Sequence, residues 1–189
     1  MTPRIAVLIP CHNEEVTIAA VIGAFRTALP LATIYVYDNN SVDGTARLAS
    51  AAGARVQREQ RQGKGHVVRR AFADVDADVY VLVDGDGTYD ASAAPAMVAL
   101  LLDQQLDMVN GARRDHAAGA YRPGHRFGNY MLTYLVGSVF GRDVSDMLSG
   151  YRVFSRRFVK SFPALSAGFE TETELTVHAL ELGMPIAEI

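Results

Sequence analysis

Apolar positions in the first half of the chain alternate between continuous runs and helical spacing. Ile5 to Ile9 (IAVLI) is an unbroken run rich in branched residues and ended by Pro10, the signature of a strand buried on both faces. After a polar break at Cys11-His12-Asn13, Glu14 to Leu29 sets Val16, Ala19, Ala20, Ile22, Ala24 and Phe25 at mostly helical spacings, with acids expected in the first turn. Thr33 to Tyr37 reads as a second strand closed by Asp38-Asn39-Asn40-Ser41. A helix through Ala52 follows, with Asp43 as its expected cap and Gly53 just past its end. Ala54 to Gln57 is a short third strand, Gly63-Lys64-Gly65 leads into a helix ending near Val75, and Val79 to Val83 (VYVLV) is another buried strand.

This alternation predicts an α/β fold, a doubly wound and mainly parallel sheet with helices on both faces and a ligand site outside the carboxyl ends of the strands. The polar residues after each strand should therefore converge: His12, Asn13 and Glu14, then Asp38, then Asp84 and Asp86.

The second half is less regular. Ala91 to Gln104 predicts a helix, Asp107 to Gly111 a strand, and Ala112 to Pro123 a polar loop long enough to be functional. Arg126 to Val139 is apolar with a helical pattern, Tyr151 to Ser155 reads as a strand, Glu170 to Leu182 as a helix and Pro185 to Ile189 as the start of a strand. No repeat or low-complexity linker interrupts the chain, so residues 1–189 are expected to form a single domain. Because the sequence stops within an expected element, a truncated C-terminus is also expected.

Composition narrows the function. With 189 residues, 49% hydrophobic and 21% charged, the chain has enough apolar content for a real core. A net charge of −3 lacks the polycationic footprint of a duplex-DNA binder, so nucleic acid is not an expected partner. The lone Cys11 forms no internal disulfide and no multi-thiolate zinc site, and nothing points to an oxidising compartment, so the cytoplasm is the expected location. A strand signal beginning at Arg4 leaves no room for a signal peptide. The uncharged run Tyr130 to Gly141 falls short of the about 20 apolar residues that span a bilayer, leaving a buried helix or an interfacial contact.

Charge is segregated along the chain. Lysine and arginine are absent from Ala71 to Ala112, which holds eight aspartates, and absent again from Ser161 onward. Cations cluster at Arg55, Arg58, Arg61, Lys64, Arg69 and Arg70, and again at Arg113, Arg114, Arg122 and Arg126. Singly these are ordinary solvated residues, but alternating acidic and basic blocks suit metal-plus-phosphate chemistry.

The sharpest signal is Asp84-Gly85-Asp86 directly after VYVLV. An Asp-Gly turn is common, yet two carboxylates separated by one glycine can present oxygens to a hard divalent cation whose shell a substrate phosphate completes. Asp38 can accept from a nucleobase N–H or a ribose hydroxyl, or else close an Asx-turn within DNNS. Lys64 between two glycines can approach a nucleotide as a point charge, or stand as an exposed loop lysine. Glu170, Glu172 and Glu174 read best as first-turn acids favoured by the helix dipole. Cys11 and the histidines beyond His12 lack metal-ligand spacing and read as structural.

In order and spacing, VLIPCHNEE, YDNNSVDGT, RQGKGHVVRRA, VLVDGDGTYD, NGAR and DMLSGYRVFSRR together resemble glycosyltransferase family 2 enzymes of the Rossmann-like GT-A fold. The resemblance is greatest to the branch containing dolichyl-phosphate mannose and polyprenyl-phosphate glucose synthases. It implies that Pro10, His12 and Glu14 make the first nucleotide contacts, that Asp38 accepts from the base and that Lys64 approaches the donor. It implies further that Asp86 ligates Mn2+ or Mg2+ directly, with Asp84 nearer the ribose and metal. Family members often carry glutamine or histidine just after this tripeptide, where this chain has Gly87-Thr88-Tyr89-Asp90.

By the same resemblance Arg113 and Arg126 lie near the sugar diphosphate and the acceptor phosphate, a role that the planar fork of arginine suits. Asp146 stands where many inverting members place acceptor-side and catalytic residues. A phosphate acceptor, mostly dianionic at neutral pH, needs no base to expose its nucleophile, whereas a hydroxyl acceptor does. The expected function is transfer of a sugar, with inversion, from a UDP- or GDP-sugar to a polyprenyl phosphate at the cytoplasmic membrane face. A carbohydrate hydroxyl acceptor with Asp146 as base, and a nucleotide-binding domain without turnover, are the alternatives.

Overall fold

The computed structural model describes residues 2–111 and 149–189. In chain order its elements are β1 (Ile5–Cys11), α1 (Ile18–Ala28), β2 (Thr33–Asp38), α2 (Thr45–Ala51), β3 (Arg55–Arg58), α3 (Lys64–Asp74) and β4 (Val79–Leu82). A 3-10 turn at Ala91–Ala93 then runs into α4 (Ala94–Asp103), followed by β5 (Met108–Asn110), β6 (Arg152–Ser155), α5 (Arg156–Ser161), α6 (Glu170–Glu181) and β7 (Ile186–Glu188).

The strands form one seven-stranded sheet in the order β3-β2-β1-β4-β6-β5-β7. Strand β1 pairs in parallel with β2 and β4, as β2 does with β3 and β5 with β7. Only β6 runs against its neighbours, with Leu82 opposite Arg152 and Asn110 opposite the same residue on the other side. The expected mainly parallel, doubly wound sheet is what folds. The antiparallel insertion of β6 between β4 and β5 was not predicted, since strand order depends on pairings between residues far apart in sequence.

Alternate side chains of β1 serve two cores. Val7 and Ile9 pack with Ile22 and Phe25 of α1 and with Met97 and Leu101 of α4. Ala6 and Leu8 face Val68 and Phe72 of α3, Phe158 of α5 and Leu175 of α6. Each such fully buried branched or aromatic side chain is worth about 1.5 to 3 kcal/mol, so helices on both faces anchor the sheet firmly and fix where its strand ends lie.

Several boundaries differ from those expected. Strand β1 continues through Pro10 to Cys11, because pairing with β4 stops at Leu8 and a residue without an N–H is tolerated beyond that ladder. Helix α1 begins at Ile18, not Glu14. The Glu14 carbonyl accepts from the Thr17 and Ile18 amides at 3.1 and 3.0 Å, while Asn13 is left-handed at φ 56°, so both glutamates stand in a turn ahead of the helix. Gly44 takes the cap position expected for Asp43, whose carboxylate instead accepts from the amide and hydroxyl of Thr45 at 3.0 and 2.5 Å. Gly53 closes α2 as expected, at φ 85°. Helix α5 was missed: six residues are too few for a period to register, although Ser155 caps it by accepting from the Phe158 amide at 3.1 Å. The polar loop and the helix expected between Ala112 and Val139 lie outside the described residues.

Candidate active site

The carboxyl ends of β1, β2 and β4 form a rim in which side chains bind backbone. His12 Nδ1 lies 2.8 Å from the Asn39 carbonyl and its Nε2 lies 3.2 Å from Asn13 Nδ2. That pairing fits Nδ1 as donor to the carbonyl and Nε2 as acceptor from the amide. Asn39 then holds the β3–α3 loop: Nδ2 donates to the Glu59 and Arg61 carbonyls at 3.0 and 2.8 Å, and Oδ1 accepts from the Gly63 amide at 2.7 Å. Asp38, at the end of β2, is 4% exposed and accepts from the Ser41 amide at a long 3.4 Å. The Asx-type contact is therefore present but weak, and the carboxylate is not spent on it.

Carboxylates outnumber cations at this rim. Glu14, half-buried, has an Oε2 with no hydrogen-bond partner. Burial, with Asp86 and Asp84 nearby, pushes its carboxyl up to about 7 despite the Cys11 thiol and the Lys64 ammonium. The Cys11 thiol is itself pushed up, chiefly by burial. Asp86 is exposed, its Oδ1 held by the Thr88 amide and hydroxyl at 2.9 and 2.7 Å. Lys64 reaches Asp84 Oδ1 at 2.5 Å and Glu172 Oε1 at 2.6 Å, with only 8% of its side chain exposed. It is not the exposed loop lysine of the alternative reading. Burial opposes its charge, but Asp84 and Glu172 more than offset this and raise its pKa.

Glu172 is the residue that sequence reasoning missed. It stands in the first turn of α6 as expected, but it is 9% exposed and its carboxylate pairs with Lys64, a partnership that the dipole reading does not include. The signal was in the spacing: Glu172 shares the inner stripe of α6 with Leu175, Thr176 and Ala179, so its carboxylate must find a buried partner. Glu174 does local work, accepting from the Leu165 and Ser166 amides at 2.7 and 2.9 Å.

Close packing defines the walls. A Cβ on Gly150 would collide with the Asp84 carboxylate, and one on Gly85 with that of Glu14. Gly150 also donates to the Tyr89 hydroxyl at 2.8 Å. The segment Ser149-Gly150-Tyr151-Arg152 therefore reaches the residues just after β4, though Arg152 is fully buried and donates to the Ser149 carbonyl at 2.9 Å and the Thr176 hydroxyl at 2.7 Å. Two shallow cavities of about 330 and 340 Å³ open beside this rim, among Arg58, Glu59, Arg61 and Arg70, and not over the carboxylates. Pro10, His12, Glu14, Asp38, Lys64, Asp84 and Asp86 thus all belong to one rim. Arg113, Arg126 and Asp146 lie outside the described residues.

The donor set suits a hard divalent cation that takes part of its shell from a ligand. Asp84 and Asp86 offer only oxygens, and among the described residues no group of three or more His, Cys, Asp or Glu side chains could hold a metal ion alone.

Residues 6–162 match the family model described as "Glycosyl transferase family 2". The chain belongs to that family. Its sheet is the Rossmann-like GT-A fold of solved glycosyltransferases. Glucosyl-3-phosphoglycerate synthase from Mycobacterium tuberculosis in complex with UDP superposes with a TM-score of 0.82 at 26% identity, over 98% of this chain and 70% of that one. The same enzyme with Mn2+, UDP and phosphoglyceric acid gives 0.79, over 98% of this chain and 68% of the other.

Among curated relatives, "Protein RfbJ" of Shigella flexneri is 57% identical over 65% of this chain and 96% of its own. "Glycosyltransferase AglJ" of Haloferax volcanii is 36% identical over 95% of this chain, which spans only 59% of AglJ. A "Dolichyl-phosphate hexose transferase" of the same organism is 28% identical over 98% of this chain and 80% of its own length. Among the described residues no helix is long and apolar enough to cross a membrane.

Proposed function

We propose that this chain carries the donor-binding and catalytic core of an inverting transferase that moves a sugar from a UDP- or GDP-sugar to a polyprenyl phosphate at the cytoplasmic face of a membrane. One observation carries the donor half of this reading. Glu14, Asp84, Asp86 and Glu172 meet at strand ends with Lys64 as their paired cation, an arrangement that repels a diphosphate unless a further cation joins it. A divalent ion held by Asp84 and Asp86 would neutralise the leaving diphosphate. Asp38 takes a hydrogen bond from the base or ribose, and the His12 ring and Pro10 shape the entry beside it.

For the acceptor, the name of the dolichyl-phosphate hexose transferase favours a lipid phosphate. We assign Arg113 and Arg126 to screening that phosphate from the donor's, which lets its oxygen attack without a general base. Asp146 then orients a guanidinium. Phosphoglyceric acid in the solved relative supports a second reading, an acceptor hydroxyl on a small molecule or carbohydrate with Asp146 as base.

Transfer of radiolabelled sugar by the full chain separates the two. Under the first reading label enters polyprenyl phosphate, Arg126→Ala cuts transfer far more than donor binding, and Asp146→Asn costs little. Label entering a soluble hydroxyl acceptor, but not polyprenyl phosphate, overturns the first reading.

A further inference from the structure

The two glycines around Lys64 explain where its ammonium is held. Gly63 sits at φ 130°, and a Cβ on it would collide with the Ala167 carbonyl, as one on Gly65 would with the Ser166 carbonyl. The Gly65 amide donates to the Ala167 carbonyl at 3.0 Å. Only glycines allow the start of α3 to lie this close to the segment that leads into α6. That contact brings Lys64 to Glu172 in the first turn of α6, with the Phe169 ring 5.9 Å from the ammonium.

An ammonium has three donors, and two are committed to carboxylates at 2.5 and 2.6 Å. Lys64 therefore covers Asp84 Oδ1, an oxygen that a metal would use. A cation arriving alone must displace it and leave a buried ammonium with one partner fewer, which is costly. A diphosphate arriving with the cation supplies an oxygen to replace the one lost.

We infer that Glu172 is a positioning residue, retaining the Lys64 ammonium while it passes from Asp84 to the donor's diphosphate, so that divalent metal and nucleoside diphosphate bind cooperatively. This rests on the donor site proposed above. Without Glu172 the ammonium settles wholly on Asp84; without Lys64 that carboxylate stands open to metal at all times.

The two losses have opposite signs for metal alone, a pattern that general destabilisation does not produce. The experiment measures Mn2+ affinity of the full chain from the free-ion EPR signal, with and without UDP or GDP, for the parent, Lys64→Met and Glu172→Gln. In the parent the nucleotide should tighten Mn2+ by about 5- to 150-fold. Lys64→Met should bind Mn2+ alone more tightly than the parent and show a smaller enhancement, whereas Glu172→Gln should bind Mn2+ alone more weakly. Parent-like Mn2+ affinity in Glu172→Gln, whatever its melting temperature, overturns the inference and leaves the donor site standing. A parent with no metal-dependent nucleotide binding overturns both.

A measurement on the unmutated chain guards against variants that fail to fold. The sequence has two lysines, Lys64 and Lys160, so amine acetylation is read cleanly by mass spectrometry. Lys64 should label far more slowly than the α-amino group, and equal rates contradict the arrangement.

Discussion

At the amino ends of the strands Asp76 and Asp78 meet Arg4 and Arg156, while Asp107 meets Arg157 and the Ser155 hydroxyl. At the carboxyl ends Glu14, Asp84, Asp86 and Glu172 gather around the Lys64 ammonium. Both ends are rich in aspartate, and both hold close ion pairs. The difference is charge balance and satisfaction. Below, each acid has its own arginine and most of the groups are solvent-exposed, the setting in which ion pairs contribute little. Above, negative charge is in excess, a carboxylate oxygen of Glu14 is buried without a partner, and Asn13, Asn40, Gly63 and Gly87 all adopt positive φ. The proposed metal and diphosphate would balance this end, whereas the opposite end is balanced by its own side chains.

Substitution at Gly150 should give the largest break in this contrast. Its added Cβ meets the Asp84 carboxylate, the far end of a side chain that can rotate away, so Gly150→Ala should cost no more than the about 1 to 3 kcal/mol typical of overpacking. Moving that carboxylate off Lys64 and the proposed metal position should nevertheless abolish metal-dependent nucleotide binding in calorimetry. Retained binding would mean that Asp84 is structural.

Asp38→Ala should come next. Loss of a hydrogen bond to a charged acceptor should weaken UDP or GDP by about 1.5 to 3 kcal/mol. Inorganic diphosphate with metal should bind unchanged; if both ligands weaken equally, Asp38 is holding the rim and not the nucleoside.

A smaller effect is expected from Glu14. Its folded carboxyl sits near pH 7 against an ordinary 4.5, so the folded state keeps a proton that the unfolded chain releases. This contribution to stability is full below about pH 4.5 and is lost as pH rises toward 7, because the folded state then binds more protons than the unfolded one. Screening at a half-buried carboxylate keeps the slope shallow. Thermal melts in chelator should lose that downward slope in Glu14→Gln relative to the parent. The smallest effect is expected at the opposite end, where Arg4→Ala should leave both nucleotide binding and its metal dependence at parent values.

Legibility in the sequence followed how local each feature is. β4 and its Asp84-Gly85-Asp86 end were plain, because a buried apolar run followed by a breaker needs no distant information. β6 read correctly as a strand, yet nothing in RVFS specifies an antiparallel slot between β4 and β5. The converging rim residues His12, Glu14, Asp38, Lys64, Asp84 and Asp86 followed from strand ends and glycine placement. Glu172 did not, because a glutamate in the first turn of a helix has an ordinary explanation, and only its stripe with Leu175 and Ala179 distinguishes it. Lys64 reads as a cation that can approach a nucleotide or as an exposed loop lysine, and its carboxylate partners, just past β4 and on α6, lie 20 and 108 residues further along the chain, beyond the reach of local pattern.

The carboxylate excess at the upper end is proposed as a metal–diphosphate site. Isothermal calorimetry of UDP and GDP, with Mn2+ and with chelator, on the parent and on Asp86→Ala tests it most directly. Asp86 is exposed and makes only local bonds to Thr88, so the variant should melt near the parent. One nucleotide should bind the parent only with Mn2+, and Asp86→Ala should lose that binding while staying folded. Equal nucleotide affinity in the variant and the parent with Mn2+ present would contradict that assignment.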